Sequence, residues 1–277
     1  MENVDDIVKE HYGVGDLATR ILDGLKATGV DLDGLTTEDL AVVDEFHIGG
    51  RMATQYAISK LHLSGNEHIL DIGCGIGGAA RTIASQTRNR VTGIDLTPEF
   101  IEVAEMLTRL TGLDDKAAFH AANALSMPFD DETFDAALTL HVAMNIRDRD
   151  ALYGEIARVM KPAALLCIYD VIKKGDAPIT FPMPWAQTEY SSHLVGVEEM
   201  QTLLERAGFE VDVIEDRTPS AIDFFNRGLA AAAKGPQPLG VHLIMGPTMR
   251  EKLQNVKHNM EEGRIAPVLM TARRKTG

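Results

Sequence analysis

Short apolar runs alternate with helical stretches along residues 66–172, and this alternation is the feature that most constrains the fold. The pattern predicts strands at 68–72, 90–95, 117–122, 134–140 and 164–170. Helices are predicted between them, at about 77–86, 98–111 and 149–160. Strand–helix alternation is typical of a parallel sheet that is covered by helices on both faces and joined by right-handed crossovers. We therefore predict an α/β fold.

Segments on either side of this core predict additions that cover it. We expect an N-terminal helical cap segment at 1–62, a core at 63–217, a helical cap insertion at 218–263 and a final core strand at 264–277. Within the core, the proline-rich stretch 173–196 has little apolar periodicity and is predicted to form a long lid loop. Loops of this length are usually functional.

Composition and charge favour a globular protein that acts on a small molecule. Hydrophobic residues make up 45% of the chain and charged residues 25%, as in ordinary globular proteins. The formal net charge of -14 would repel nucleic acid and anionic membrane surfaces. The sequence shows neither a membrane-spanning apolar run nor a signal-peptide pattern. We expect a cytoplasmic protein whose partner is a small molecule, with no nucleic-acid or membrane partner.

The two cysteines, Cys74 and Cys167, lie near the ends of different predicted strands. Neither belongs to a C-x-x-C pair or to a Cys/His pair at the spacing of metal ligands, so no metal site is predicted.

The stretch HILDIGCGIGG at 68–78 joins a strand to a glycine-rich turn and predicts a ligand site. Gly73-x-Gly75-x-x-Gly78 satisfies the dinucleotide fingerprint, in which a pyrophosphate lies at a helix N-terminus. Asp71 argues against that ligand, because a carboxylate just before the turn would repel the phosphates. The same carboxylate suits an ammonium group, such as the one on S-adenosylmethionine.

Two further strand ends supply polar groups for the same nucleoside. Asp95 ends the second strand, where a carboxylate can accept hydrogen bonds from both ribose hydroxyls. Asn123 follows the third strand, where its side-chain oxygen can accept from an adenine amino group. Because parallel sheets bind ligands at the carboxyl ends of their strands, we expect these groups to share one crevice.

The stretches LDIGCGIGGAAR, GIDLTPEFIEVA, ANALSMPFDDETFDAAL and LYGEIARVMKPAALLCIYDV together resemble the class I S-adenosylmethionine-dependent methyltransferases, over about residues 66–216. DEFHIGGRMAT, LHVAMNIRD and FPMPWA resemble the branch near the sarcosine/dimethylglycine N-methyltransferases, and the core also resembles quinone C-methyltransferases. The resemblance implies a Rossmann-like, mostly parallel seven-stranded sheet with helices on both faces, a last strand that runs antiparallel near the edge, and a helical cap.

The resemblance also implies which residues contact S-adenosylmethionine and its product S-adenosylhomocysteine. They are Asp71, Gly73, Gly75, Gly77, Asp95, Leu96, Asn123, Ala124, Leu140 and Arg51. Two positions depart from the family pattern, which often has Gly-Asp where Ala122-Asn123 stand and Gly-Gly where Ala163-Ala164 stand.

Arg51 follows Gly49-Gly50, and its guanidinium is suited to a carboxylate of the cofactor or of an amino-acid substrate. The alternative is an ion pair with Asp44 or Glu45.

On the acceptor side, His141 follows the fourth strand and is the candidate catalytic base; the alternative is a histidine that packs on the cofactor or caps the strand. The candidate substrate-binding residues are Tyr12, His47, Asn145, Trp185 and Tyr190. Phe224, Phe225, Met245 and Met249 have the spacing of cap core residues.

We predict methylation of a small metabolite, first at nitrogen of an amino acid or amine, and next at carbon or oxygen of a quinone or phenolic compound. A non-catalytic S-adenosylmethionine-binding protein and an NAD-dependent oxidoreductase are the alternatives from other classes. The sequence leaves the oligomeric state open.

Overall fold

The computed structural model describes residues 16–232 and 237–276. Its centre is a seven-stranded sheet with the order β3-β2-β1-β4-β5-β7-β6. The strands are β1 (His68–Ile72), β2 (Arg90–Asp95), β3 (Ala117–Ala121), β4 (Phe134–Leu140), β5 (Met160–Lys173), β6 (Phe209–Asp216) and β7 (Ile265–Arg274). The first five pair in parallel, whereas β7 lies antiparallel between β5 and β6. The predicted Rossmann-like sheet and its antiparallel last strand are confirmed.

Helices alternate with the strands of the sheet, and further helices precede its first strand and separate its last two strands in the sequence. They are α1 (Leu17–Thr28), α2 (Thr37–Asp44), α3 (Gly50–Ser59), α4 (Gly78–Gln86), α5 (Pro98–Leu110), α6 (Arg149–Val159), α7 (Val197–Arg206), α8 (Thr218–Ala232), α9 (His242–Met245) and α10 (Met249–Glu261). None of the helices in the described ranges is long and apolar enough to cross a membrane.

The fifth strand is longer than predicted, because it begins at Met160 rather than at residue 164. Its register against β4 jumps from Phe134↔Met160 to Ala136↔Leu165, so the intervening residues form an irregularity within the strand. Ala163 lies there with a left-handed φ of 65°. This is the conformation that glycine adopts most readily, which explains why the family pattern has glycines at this turn.

The N-terminal helices pack on the core through one apolar cluster. Leu17, Ile21 and Leu25 of α1 lie in this cluster with Phe100 and Leu107 of α5. Helix α2 begins with a capping box, in which Thr36 and Asp39 satisfy each other's backbone N–H groups. The capping box fixes the first turn of α2, and the last residue of this helix, Asp44, begins the segment 44–48, which leads toward α3.

Arg81 of α4 ties the start of this segment to the glycine turn after β1 and to α5. Its side chain is fully buried, and its Nη2 donates to Asp44 Oδ2 at 2.8 Å and to the Ile76 carbonyl at 2.7 Å. Nη1 donates to the Ala104 carbonyl and to Thr108 Oγ1, both at 3.2 Å. Burial raises the pKa of Asp44, and the Arg81 charge opposes that shift. The two charges stabilise each other in a place where neither is solvated.

The lid loop and the cap insertion share a second cluster. Trp185 and Met183 of the loop are buried with Phe225 of α8 and Val256 of α10. The lid therefore packs on the insertion, as a cap built from two separate segments of the chain.

Arg81→Met should lower the free energy of unfolding by about 3–5 kcal/mol, because it leaves the Asp44 carboxylate buried without its partner. Chemical denaturation of the whole chain measures this. The matched control is Lys26→Met, which removes an exposed ion pair with Asp23 and should change stability by no more than about 0.5 kcal/mol. Equal, small effects of both substitutions would contradict the structural role of Arg81.

Candidate active site

A cavity of about 530 Å³ opens at the carboxyl ends of the central strands, between the core and the cap. Its lining comes from the segment after α2, from the turns after β1, β2, β3 and β4, from the lid loop, and from α8 to α10. The core supplies most of the polar groups and the cap supplies mainly apolar ones. One cavity therefore joins the predicted cofactor site to a region that the cap encloses.

Asp71, near the end of β1, contributes a buried carboxyl group to this cavity. The residue is 2% exposed, and its Oδ2 has no hydrogen-bond partner among the described residues. Burial is the main reason that the pKa of Asp71 is raised to about 7; nearby Asp95 raises it as well, whereas Arg81 lowers it. An unpartnered carboxylate oxygen in a cavity fits a ligand ammonium group, which would stabilise the ionised form.

The glycine turn brings the backbone close to the cavity. Gly73 has a φ of 69°, and a Cβ at this position would lie 2.3 Å from the Val142 side chain. Gly75 has a φ of 53°, and Gly77, with a φ of 85°, caps α4. Gly73 lines the cavity, whereas Gly75 and Gly77 shape the turn without lining it.

Asp95 and Asn123 both line the cavity with part of their side chains engaged by the backbone. Asp95 Oδ2 accepts from the Gly75 N–H at 3.0 Å, and Oδ1 accepts from the Thr97 N–H at 2.9 Å. Because each carboxylate oxygen has a second lone pair, both remain able to accept from a ribose hydroxyl. Asn123 Oδ1 accepts from the Leu125 N–H at 2.9 Å. Leu96, Ala124 and Leu140 line the cavity beside them.

Arg51 does not reach the cavity. Its guanidinium donates to the carbonyl and hydroxyl oxygens of Thr37 and forms an ion pair with Glu38 at 2.9 Å. The first turn of α2 thus holds the side chain by three contacts. Neither of the ion-pair partners suggested from the sequence, Asp44 or Glu45, is bonded to it, because Asp44 pairs with Arg81 and Glu45 accepts from Thr54.

Among the predicted substrate-binding residues, His47, Asn145 and Trp185 line the cavity. Trp185 is buried and its Nε1 donates to Ser192 Oγ at 3.1 Å, while Asn145 Nδ2 donates to the Val142 carbonyl at 3.2 Å. Tyr190 is 78% exposed and is not part of the lining. Tyr12 lies outside the described residues.

His141 lies at the cavity in a left-handed conformation, with a φ of 57°. Its ring stacks on Tyr169 at 4.9 Å, and its Nδ1 accepts from the Ile48 N–H at 3.2 Å. Burial lowers the pKa of His141 well below its ordinary value, so the ring is neutral at pH 7. Since Nδ1 is an acceptor, the ring proton is on Nε2. A base at His141 stays a prediction, and this hydrogen bond favours a donor there.

The sequence reasoning missed the apolar half of the lining. Phe224 and Phe225 pack in the cap cluster as expected and also line the cavity, as Met245 does, whereas Met249 does not. Phe46 and Phe100, which received no role, line it as well. Helical spacing shows that such residues face inward, but it does not distinguish a packed core from a cavity wall.

Residues 70–168 match the family described as Methyltransferase domain. The chain is 27% identical over 221 residues to the methyltransferase GfsG of Streptomyces halstedii, an alignment that covers 77% of this chain and 74% of that protein. It is 30% identical over 210 residues to an O-methyltransferase of Pyrenophora dematioidea, with 69% of this chain and 79% of that protein covered. Other matches include C- and N-methyltransferases.

A solved structure of a putative sarcosine dimethylglycine methyltransferase from Galdieria sulphuraria has the same fold. It superposes with a TM-score of 0.67 and 18% identity, over 80% of this chain and 84% of that chain.

Asp71→Asn should weaken binding of S-adenosylhomocysteine by about 1–3 kcal/mol at pH 8, the scale of a lost charged hydrogen bond. Isothermal titration calorimetry measures the loss. Asp170→Asn is the control, because Asp170 is another buried strand aspartate with a raised pKa, paired with Arg149 at 3.8 Å, and it does not line the cavity. Unchanged affinity in Asp71→Asn would show that Asp71 does not contact the ligand.

Binding of S-adenosylhomocysteine should also weaken as pH falls through the raised pKa of Asp71, about 7. The ligand ammonium requires the ionised carboxylate, which is fully present above this pKa and is lost below it. Affinity at pH 6 should therefore be about tenfold lower than at pH 8. Because Asp95 lines the same cavity, only the pH dependence that disappears in Asp71→Asn is assigned to Asp71. An identical pH profile in that variant would contradict the assignment.

Proposed function

The chain belongs to the class I S-adenosylmethionine-dependent methyltransferases, and from this membership we propose that it methylates a hydroxyl oxygen on a mostly apolar small molecule. Membership also sets aside the oxidoreductase and the non-catalytic binding protein. When bound, S-adenosylmethionine supplies an activated methyl group. The family acts at oxygen, carbon and nitrogen, so the choice of atom depends on the acceptor side of the cavity.

The apolar lining that the cap contributes to the cavity is the observation that carries this proposal. Aromatic rings of the lid loop and of α8 are joined there by aliphatic and thioether side chains. The apolar residues from the lid and the insertion are Pro184, Trp185, Phe224, Phe225, Val241, Met245, Leu253 and Val256, and Ile48 and Met144 lie in the same apolar cluster as Trp185 and Phe225. Such a wall gains free energy by covering apolar surface of the acceptor, at about 25 cal/mol per Å².

An amino-acid acceptor, the first expectation from the sequence, has less support. Its carboxylate needs a cation, and the side chain proposed for that role, Arg51, is bonded to Thr37 and Glu38. Within the described lining, Arg147 is the one lysine or arginine, and its guanidinium lies 5.8 Å from the ring of the exposed Tyr190. A carboxylate-bearing substrate would therefore meet mostly apolar and acidic groups.

An apolar amine is the second candidate. Asp44, Glu45 and Asp148 contribute carboxyl groups to the lining, and these favour a cationic group over an anionic one. The relatives described as O-methyltransferases favour oxygen over nitrogen.

The chain's own contribution to the reaction is to position the acceptor and exclude water. Methyl transfer is an in-line displacement, so its rate depends on how well the acceptor atom is aligned in a desolvated pocket. The lid and the insertion form the apolar cover that such a pocket needs. His141, through its Nε2–H, offers a hydrogen bond that can orient an acceptor oxygen.

Transfer of labelled methyl from S-adenosylmethionine to a panel of phenols, apolar alcohols, apolar amines and amino acids tests the proposal. We expect turnover with the hydroxyl compounds, and turnover with the amines or the amino acids alone would contradict the proposal.

Phe225→Ala should raise KM for the best acceptor about 5- to 30-fold, the equivalent of about 1–2 kcal/mol of lost apolar contact, with a smaller change in kcat. Steady-state kinetics measure both constants. Phe209→Leu is the control, because Phe209 is buried in the sheet core away from the cavity. Equal changes of KM in both variants would show that Phe225 acts through stability and not through the acceptor.

A further inference from the structure

Two half-buried histidines meet at the wall of the cavity. The rings of His47 and His141 pack edge to face with centroids 5.9 Å apart, and both residues line the cavity. Each ring has one nitrogen without a hydrogen-bond partner among the described residues, namely His47 Nδ1 and His141 Nε2. Buried ring nitrogens are normally satisfied, so this pair points to a polar group supplied by a ligand.

The other nitrogen of His47 is held by a buried carboxyl group. His47 Nε2 lies 2.8 Å from Thr54 Oγ1 and 3.3 Å from Glu45 Oε2. Thr54 Oγ1 donates to Glu45 Oε2 at 2.5 Å, and Thr82 Oγ1 donates to Glu45 Oε1 at 3.3 Å. The order Glu45–Thr54–His47 therefore runs from a carboxyl group to an imidazole that reaches the cavity.

These contacts fix complementary roles for the two free nitrogens. When Glu45 is ionised, the only hydroxyl proton of Thr54 is donated to it, so Thr54 Oγ1 accepts the Nε2–H of His47. Nδ1 of His47 is then an acceptor. His141 has its Nδ1 occupied by the Ile48 N–H, so its Nε2–H is a donor. One hydroxyl group can donate to the first ring while it accepts from the second.

We propose that His47 is the general base of the methyl transfer and that His141 is the hydrogen-bond donor that orients the acceptor oxygen. The hydroxyl proton passes to His47 Nδ1 while the oxygen uses a lone pair to bond the methyl carbon, and the electron pair of the broken carbon–sulfur bond stays on sulfur. Glu45 is a positioning residue that compensates the charge on the imidazolium. The inference rests on the proposed hydroxyl acceptor.

The arrangement predicts a pH dependence whose sign follows from Glu45. Burial, followed by the charge of Asp44, raises the pKa of Glu45 to about 8, whereas Thr54, Arg51 and Thr82 lower it. Below that pH the neutral carboxyl group can donate to Thr54 Oγ1. The Thr54 hydroxyl then donates a hydrogen bond to His47 Nε2, so the ring proton lies on Nδ1, which is no longer an acceptor. Turnover should therefore rise as pH increases through about 8.

The two rings and the tyrosine beside them do not change charge in this range. Burial lowers the pKa of His47 to about 4 and that of His141 well below its ordinary value. Tyr169, the aromatic neighbour of both rings, has a pKa raised by burial and stays protonated.

Imidazole ¹⁵N NMR of the whole chain at pH 9, with S-adenosylhomocysteine and then with phenol as a probe, tests the proton positions without turnover. We expect both rings to be neutral with the proton on Nε2, and phenol to shift His47 Nδ1 and His141 Nε2. His47→Asn and His141→Asn assign the signals. His62→Asn is the control, since His62 is an exposed histidine with a left-handed φ of 50° that asparagine tolerates. A proton on His47 Nδ1, or no shift with phenol, would overturn the proposal.

Kinetics give the second measurement. His47→Asn should lower turnover of a hydroxyl acceptor at least about 100-fold, the lower range for loss of a general base, with S-adenosylhomocysteine affinity within about twofold of the wild type. Glu45→Gln should abolish the rise of kcat near pH 8. His62→Asn should change neither kcat nor the affinity for S-adenosylhomocysteine. A loss below about tenfold in His47→Asn overturns the role of His47 while the proposed function stands. Methyl transfer by the wild type only to amines contradicts the proposed function instead. The role of His47 as a base for a hydroxyl proton is then contradicted as well.

Discussion

The buried pair of Arg81 and Asp44 is the contact on which the rest of the site depends. Arg81 is in the helix that follows the glycine turn, and Asp44 ends the helix that precedes the segment 44–48. Gly78 lets the two come together, because a Cβ there would lie 2.3 Å from the Asp44 carbonyl oxygen. One guanidinium thus holds the cofactor turn and the histidine-bearing segment at a fixed distance, although they are far apart in sequence.

Desolvation gives the cavity its chemical character. Burial raises the pKa values of the carboxyl groups Asp71 and Glu45 and lowers those of the imidazoles His47 and His141. All four shifts favour the neutral form, so the empty pocket has few fixed charges despite its many titratable groups. A cationic ligand therefore favours ionisation of the carboxyl group beside it when it binds. A neutral acceptor meets neutral carboxyl and imidazole groups, which can donate or accept protons.

The sequence predicted the parts of this protein that are encoded locally. Strand ends and the turn at Gly73 are marked within a few residues, and topology alone brings Asp71 and Asp95 to one edge of the sheet. Arg51 was predicted to contact the cofactor, but its guanidinium is bonded to Thr37 and Glu38 of a different helix, α2, which the local sequence around Arg51 does not show. The donor nitrogen of His141 depends on a backbone N–H that is 93 residues away in the chain, and no local pattern records such a contact.

The cap insertion begins and ends on neighbouring strands. Asp216, at the end of β6, pairs with Val268 of β7, and the Arg217 N–H donates to the Pro267 carbonyl at 2.9 Å. Because the two ends of the insertion lie side by side, lengthening or replacing it adds little to the loop-closure entropy cost of folding. Such a change also leaves the register of the sheet intact. Acceptor preference can thus diverge among descendants of this scaffold through exchange of one surface segment, while the nucleoside half stays unchanged.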